Sequence, residues 1–162
     1  MCDYSLMAVP NRLARQGEEL VCHRFPTGSL GLASPVDLKR ASEPPAPSRG
    51  FWSMVRDFFN PPKIESVAAV CIPPGARLEL HDIPVRLQRD AGVGAVEEVT
   101  FTQISAAVNS YRDAVRFSNG KEVRLQELRE GQRARVLDLS VAEELDLEKL
   151  REERAEFTYR LR

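Results

Sequence analysis

The sequence predicts a mainly β protein: a small antiparallel sheet or open barrel with a short aromatic helix and a C-terminal amphipathic helix. Runs of alternating apolar and polar residues, separated by turn residues, fill residues 64–140 and are typical of strands. An Asn-Gly dipeptide between two such runs indicates a β-hairpin. After residue 140, leucines lie among closely mixed charges at helical spacing, which indicates an amphipathic helix with a solvated face.

The individual strands follow from these runs. Residues 66–72 are apolar on both faces, as in a central buried strand, and Pro73-Pro74-Gly75 turns the chain into the next run. We expect the opening residues to be irregular and residues 90–94 to form a loop. The predicted strands lie near residues 19–25, 66–72, 76–81, 99–104, 113–117, 121–126 and 133–139.

The hairpin around Asn119-Gly120 has a register that the apolar pattern selects. A two-residue loop would place Val115 and Val123 on different faces of the sheet. A three-residue loop over 118–120, with Gly120 in the left-handed conformation of a bulge, pairs Val115 with Val123. The second register puts the apolar side chains on one face, and we predict that one.

The chain divides into five predicted parts within the length of one domain. Prolines and small polar residues separate the first strand from the rest and cannot bury much surface. The parts are an N-terminal segment with one strand (1–40), a proline-rich linker (41–50), an aromatic helix (51–59), the antiparallel β body (64–140) and a C-terminal helix (141–162).

The aromatic segment 51–59 has its large apolar side chains on one face of a predicted helix, which two prolines end. One interpretation is a helix that docks into the groove of a partner. Another is a helix that folds back on the protein's own sheet. A helix on a membrane surface is the third, although Arg56 and Asp57 cancel each other's charge. The candidate partner-binding residues are Phe51, Trp52, Val55, Phe58 and Phe59.

Composition narrows the classes of function. A hydrophobic fraction of 43% and a charged fraction of 29% are ordinary for a globular protein. A net charge of -1 argues against a dedicated nucleic-acid binder. The longest apolar run, 67–72, is too short to span a membrane, and no secretory signal precedes the body. Three cysteines form a sparse and odd set that fits a reducing cytoplasm, where we expect the protein.

Cys2 is the residue whose position most suggests chemistry. Removal of Met1 would leave a thiol and a free α-amine on one residue. That pair suits an N-terminal nucleophile, with Cys2 as the catalytic residue, or a chelate for a soft metal. His23 and His81 are the additional metal ligands we consider, with Cys22 and Met7 as further donors. The alternative is that Cys2 is a small apolar side chain held against the body.

Two observations limit these roles. Cys22 and His23 are adjacent on a predicted strand, so they point to opposite faces and do not converge on one ion. Cys71 lies within the doubly apolar run, where we expect it in the core. The sequence contains no pair of ligands at the short spacings typical of metal motifs, and it indicates no particular cofactor.

Four arginines in the last predicted strands allow two interpretations. They could form a basic face for RNA, or the solvated polar face of the sheet. Glutamates interleave with them and no aromatic stacking platform accompanies them, which favours the solvated face. These residues are Arg116, Arg124, Arg133 and Arg135.

Five short motifs are spread along the chain: Met-Cys-Asp-Tyr-Ser-Leu at 1–6, Arg-Phe-Pro at 24–26, Val-Cys-Ile-Pro-Pro-Gly at 70–75, Asp-Ala-Val-Arg-Phe-Ser-Asn-Gly at 113–120 and Glu-Gly-Gln-Arg-Ala at 130–134. Together they resemble a family of small bacterial proteins of uncharacterised function. The resemblance covers roughly the first 35 residues and residues 66–140, and it implies a bacterial cytoplasmic protein without implying an activity. Family members commonly have histidine where this chain has Met7, and a His-His pair where it has Tyr111-Arg112.

Two classes of function follow from the sequence. The first is a non-enzymatic binding or assembly module of a larger complex that uses the aromatic and C-terminal helices, with a protein partner or a second copy of the chain. The alternative is a redox, metal-binding or N-terminal-nucleophile role centred on Cys2. The sequence does not decide whether the protein is an enzyme.

Overall fold

The computed structural model describes residue 6 and residues 8–43, 67–104 and 111–140. This part of the chain contains nine strands, two α-helices and a 3₁₀ helix. In chain order they are β1 (Asn11–Leu13), β2 (Glu19–Arg24), β3 (Leu30–Ala33), α1 (Pro35–Ser42), β4 (Ala69–Cys71), β5 (Arg77–Leu80), α2 (Val85–Ala91), β6 (Glu97–Gln103), β7 (Asp113–Phe117), β8 (Glu122–Arg124), the 3₁₀ helix (Leu125–Glu127) and β9 (Arg133–Asp138).

The described strands form one mixed sheet that is not closed, in the order β1-β4-β3-β2-β9-β5-β6-β7-β8. The prediction of a mainly β fold is confirmed. The expectation of a purely antiparallel sheet is wrong at one edge, because β1 and β4 are parallel, with Asn11 beside Ala69 and Leu13 beside Cys71. A parallel pair needs a long crossover connection, and here β2, β3 and α1 lie between the two strands.

The first forty residues hold more structure than the one strand that the sequence predicts. β1 and β3 flank the expected β2, and the opening of the chain is therefore not irregular throughout. β1 is only three residues long, and β3 reads Leu-Gly-Leu-Ala, without the β-branched and aromatic residues that mark a strand. Both strands owe their conformation to their neighbours in the sheet.

Both α-helices also differ from the prediction. α1 was not predicted: it lies in the segment 1–40, for which the sequence predicts one strand and no helix, and it reaches into the predicted linker 41–50. Its proline, Pro35, stands at the helix start, where a missing N–H costs nothing. α2 covers the start of the predicted loop at 90–94 and ends at Gly92, which has a φ of 69°.

The main core lies on the inner face of the curved sheet. It draws residues from β2 through β9, from α2 and from the 3₁₀ helix, so opposite ends of the sheet share one interior. Its larger fully buried members include Leu20, Leu78, Leu80, Phe101 and Phe117. Burial of side chains of this size contributes about 1.5–3 kcal/mol each and holds the curvature.

A second, smaller core covers the opposite face of β3 and β4. Ala33 and Ala69 form its floor, and Leu6, Val9 and Phe25 lie over them. Gly31 is the reason that Leu6 fits, since a Cβ on this glycine would lie 2.6 Å from Leu6 Cδ1. Leu6 and Val9 are thus held on the outer face of β3 and β4.

A side chain joins the 3₁₀ helix that follows β8, at one end of the sheet, to β3. The Oε1 atom of Gln126 accepts a hydrogen bond from the Leu30 N–H at 2.8 Å, and its Nε2 donates to the Leu30 carbonyl at 2.7 Å. One amide side chain therefore takes the place of a strand between the 3₁₀ helix and β3.

Three predicted segments lie largely or entirely outside the described residues: the linker beyond residue 43, the aromatic helix 51–59 and the C-terminal helix 141–162. Neither α-helix of the described part has the length and apolar character needed to cross a membrane.

Candidate functional site

A cleft of about 600 Å³ opens between α2, the β7–β8 hairpin and the turn after the 3₁₀ helix. Leu87, Ala91 and Val123 give it apolar walls. These three side chains belong to, or pack against, the main core, so the floor of the cleft is rigidly supported. Charged side chains of both signs surround them: Arg86, Asp90, Lys121, Glu122, Glu127 and Arg129.

The hairpin turn holds α2 in place beside the cleft. Asn119 Nδ2 donates to the carbonyl of Ala91 at 2.8 Å, and Lys121 Nζ donates to the carbonyl of Asp90. The last carbonyls of a helix have no partner within it, so these donors cap the C-terminus of α2. The ammonium of Lys121 also interacts favourably with the negative end of the helix dipole.

Two ionisable side chains of the cleft are free to bind. Glu122 is paired with Arg116 across the hairpin at 2.9 Å, and Arg86 lies 3.7 Å from Asp90 on the same helix. Glu127 and Arg129 make no side-chain hydrogen bond or ion pair with any described residue, and both are exposed. Within the described part of the chain, the cleft therefore combines an apolar floor with one carboxylate and one guanidinium that have no partner.

The two histidines that we considered as metal ligands lie on different strands of the outer face. His23 on β2 makes an edge-on ring contact with Phe25 at 5.0 Å. His81 follows β5, and its Nε2 lies 2.9 Å from Glu79 Oε2. β9 stands between these strands. Among the described residues, no three His, Cys, Asp or Glu side chains are placed to hold a metal ion.

The cysteines are in contrasting states. Cys22 is a free thiol of the main core, 1% exposed, and burial raises its pKa to about 12. A thiol with that pKa is almost entirely protonated at neutral pH and is a poor nucleophile or ligand. Cys71 is 5% exposed, as expected for a core residue, but it is disulfide-bonded. Cys2 and the predicted aromatic site residues Phe51, Trp52, Val55, Phe58 and Phe59 lie outside the described residues.

Three of the four sheet arginines make ion pairs. Arg116 binds Glu122 at 2.9 Å, Arg133 binds Asp82 at 2.7 Å, and Arg135 lies 3.7 Å from Glu19. The hydrogen bond from Arg133 holds the pKa of the exposed Asp82 below its usual value. These carboxylates offset the arginine charges on this face.

Comparisons of the sequence with protein-family models, of the sequence with curated proteins, and of the fold with solved structures return no match. The cleft itself was not predicted from the sequence. The signal that could have indicated it is Asn119, which we interpreted as a turn residue and which also caps α2.

Proposed function

We propose that this chain is a non-enzymatic binding or assembly module of a larger protein complex, and that the cleft beside α2 is one of its contact surfaces. The observation that supports this most is the combination of an apolar floor with two unpaired side chains of opposite charge, Glu127 and Arg129. Such a surface suits a protein segment that carries an apolar anchor between a basic and an acidic residue.

The aromatic segment 51–59 and the segment 141–162 are further contact surfaces in this proposal. Large rigid side chains such as Trp52 and Phe58 contribute on the order of 2 kcal/mol each when they fill a partner pocket. The partner is a protein or a second copy of the chain, in the bacterial cytoplasm, and nucleic acid is not expected to bind.

Charge reversal tests the cleft. In the double variant Glu127→Arg, Arg129→Glu, both free charges face a partner charge of the same sign, while the net charge is conserved. The matched control is Arg40→Glu, Glu43→Arg at the C-terminal end of α1, which exchanges two exposed charges away from the cleft. Self-association is measured by sedimentation velocity, and partners are measured by cross-linking in cells with quantitative mass spectrometry.

Whichever association the wild type shows, a dimer or a cross-linked partner, we expect the cleft variant to weaken its affinity or recovery at least tenfold. The control variant should keep the wild-type value. Equal recovery from both variants, with folding intact, would remove the cleft from the proposal.

The aromatic segment is tested by Trp52→Ala and Phe58→Ala. Loss of association with an unchanged melting temperature supports docking to a partner. A loss of about 3 kcal/mol of stability without a separate association defect assigns these residues to the protein's own core.

A role for Cys2 is the second candidate, and the disulfide at Cys71 favours its redox form. Metal binding by Cys2 and nucleophilic catalysis by Cys2 stay predictions. Elemental analysis of the purified protein tests for a bound metal. The intact mass of the protein reports whether Met1 is removed and whether the Cys2 thiol is modified.

A further inference from the structure

We infer that Cys2 is the partner of Cys71, and that their disulfide is a redox-dependent latch that fastens the N-terminal segment to β4. The inference goes beyond the proposed binding function and rests on the faces of the sheet, the path of the chain and the state of the other thiol.

The position of Cys71 in β4 comes first. Side chains alternate along a strand, so Cys71 shares a face with Ala69, whereas Val70 points into the main core. Ala69 belongs to the second core, which Leu6 and Val9 cover. The side chain of Cys71 is therefore on the face of the sheet that Leu6 and Val9 cover.

The length of chain between Cys2 and the buried Leu6 permits the link. Leu6 is fixed in the second core, and four residues of extended chain span at most about 14 Å. Cys71 is two positions along β4 from Ala69, which is roughly 7 Å. The span from Leu6 to Cys71 is therefore within the reach of four residues.

The remaining cysteine does not compete. Cys22 is a free thiol and belongs to the main core on the other face of the sheet. The sequence contains three cysteines, so Cys2 is the one partner left within the chain for the disulfide of Cys71.

The redox step balances as a thiol–disulfide exchange with a low-molecular-weight disulfide such as oxidised glutathione. One cysteine thiolate attacks the glutathione disulfide, forming a mixed disulfide and releasing one glutathione thiolate. The second cysteine thiolate then attacks the protein sulfur of the mixed disulfide and releases the second glutathione. Two thiols lose two protons and two electrons, and one glutathione disulfide becomes two glutathione molecules.

Intact mass and peptide mapping of the full chain test the latch. The protein is equilibrated with mixtures of reduced and oxidised glutathione, and its free thiols are then blocked by acid and alkylation. We expect the oxidised wild type to lose the mass of two hydrogens, to give a linked peptide containing Cys2 and Cys71, and to keep Cys22 as the single alkylated cysteine in denaturant.

The variants separate the alternatives. Cys22→Ala should form the same link, since it leaves both partners in place. Cys2→Ser should form no intramolecular link. A linked peptide containing Cys22, a disulfide between two chains, or two free thiols at Cys2 and Cys71 in excess oxidised glutathione would overturn the inference. The mapping of the wild type is decisive even if a variant folds poorly.

Discussion

At the scale of single residues, Gly120 sets the register of the β7–β8 hairpin. It has a φ of 83°, and Val115 lies opposite Val123, so the predicted three-residue turn is confirmed. The Phe117 N–H donates to the Lys121 carbonyl at 2.9 Å, which closes the turn. The same turn positions Asn119 to cap α2, so one backbone conformation serves both the sheet and the cleft.

Replacement of Gly120 measures the cost of this conformation. Gly120→Ala should lower the free energy of unfolding by about 1 kcal/mol or more, because a Cβ disfavours a left-handed backbone. Gly120→Asn should cost less, since asparagine adopts this conformation more readily. Urea denaturation compares the two, and equal stability of wild type and Gly120→Ala would contradict the turn assignment.

Glu18 is the residue that joins β1 to the turn before β2. Its carboxylate accepts two hydrogen bonds from Arg12, at 2.5 and 3.1 Å, and a third from the Arg15 N–H at 2.9 Å. The hydrogen bond from Arg12 is the main reason that the pKa of Glu18 lies below its ordinary value of 4.5, and burial opposes it.

This shift predicts a pH dependence. A carboxyl whose pKa is lowered by folding stabilises the protein fully above pH 4.5, and this contribution is lost as the pH falls further and the group is protonated. Glu18→Gln should therefore cost roughly 1 kcal/mol at pH 7, and the difference from wild type should narrow towards pH 3. Denaturation from pH 7 to 3 measures it, with Glu43→Gln as control. A difference independent of pH would show that the ion pair does not contribute.

At the scale of elements, Leu6 and Phe25 pack closely against Gly31 of β3. The Cβ that Gly31→Ala introduces would lie 2.6 Å from Leu6 Cδ1 and 2.9 Å from Phe25 Cε2. Because Gly31 has no side chain, β3 leaves the space that Leu6 occupies.

A double-mutant cycle tests this contact. Gly31→Ala should cost about 1–3 kcal/mol through overpacking, and Leu6→Ala about 2–5 kcal/mol through the loss of buried surface. The double variant should lose at least about 1 kcal/mol less than the sum, since the shorter side chain relieves the clash. Thermal or urea denaturation provides the free energies of unfolding. If the two single-variant losses are additive in the double variant, Leu6 does not contact Gly31.

The elements predicted correctly are those with a local signal. Alternation located β5, β6, β7 and β9, and Asn119-Gly120 located the hairpin. β1 was not predicted because its partner β4 is distant in sequence. β3 pairs with the neighbouring β2 in a hairpin, but its sequence Leu-Gly-Leu-Ala lacks the β-branched and aromatic residues that mark a strand. α1 was missed because the proline at its start resembles a loop signal. The cleft unites α2 with a hairpin about thirty residues later, and no local pattern encodes that juxtaposition.

At the scale of the whole molecule, Gln126 joins β3 to the end of the sheet that β8 leaves open. Gln126→Met removes both hydrogen bonds to Leu30 at similar side-chain size. We expect a loss of about 1–3 kcal/mol, because both backbone groups of Leu30 lose their partner. The Leu30 amide should also exchange faster with solvent.

Glu127→Met is the matched control, since Glu127 is exposed and makes no side-chain hydrogen bond among the described residues. Unchanged amide exchange at Leu30 in Gln126→Met would show that packing alone holds the 3₁₀ helix against β3.

The position of β9 has a consequence for biosynthesis. β9 lies between β2 and β5, and so joins two groups of strands, β1–β4 and β5–β8, that are each consecutive in the chain. A ribosome needs about 3–12 s to add the roughly 60 residues that separate β5 from the end of β9. During that interval the nascent chain presents two unpaired edges, at β2 and β5, which are templates for aggregation. Completion of β9 is therefore the event that joins the two groups of strands into one sheet.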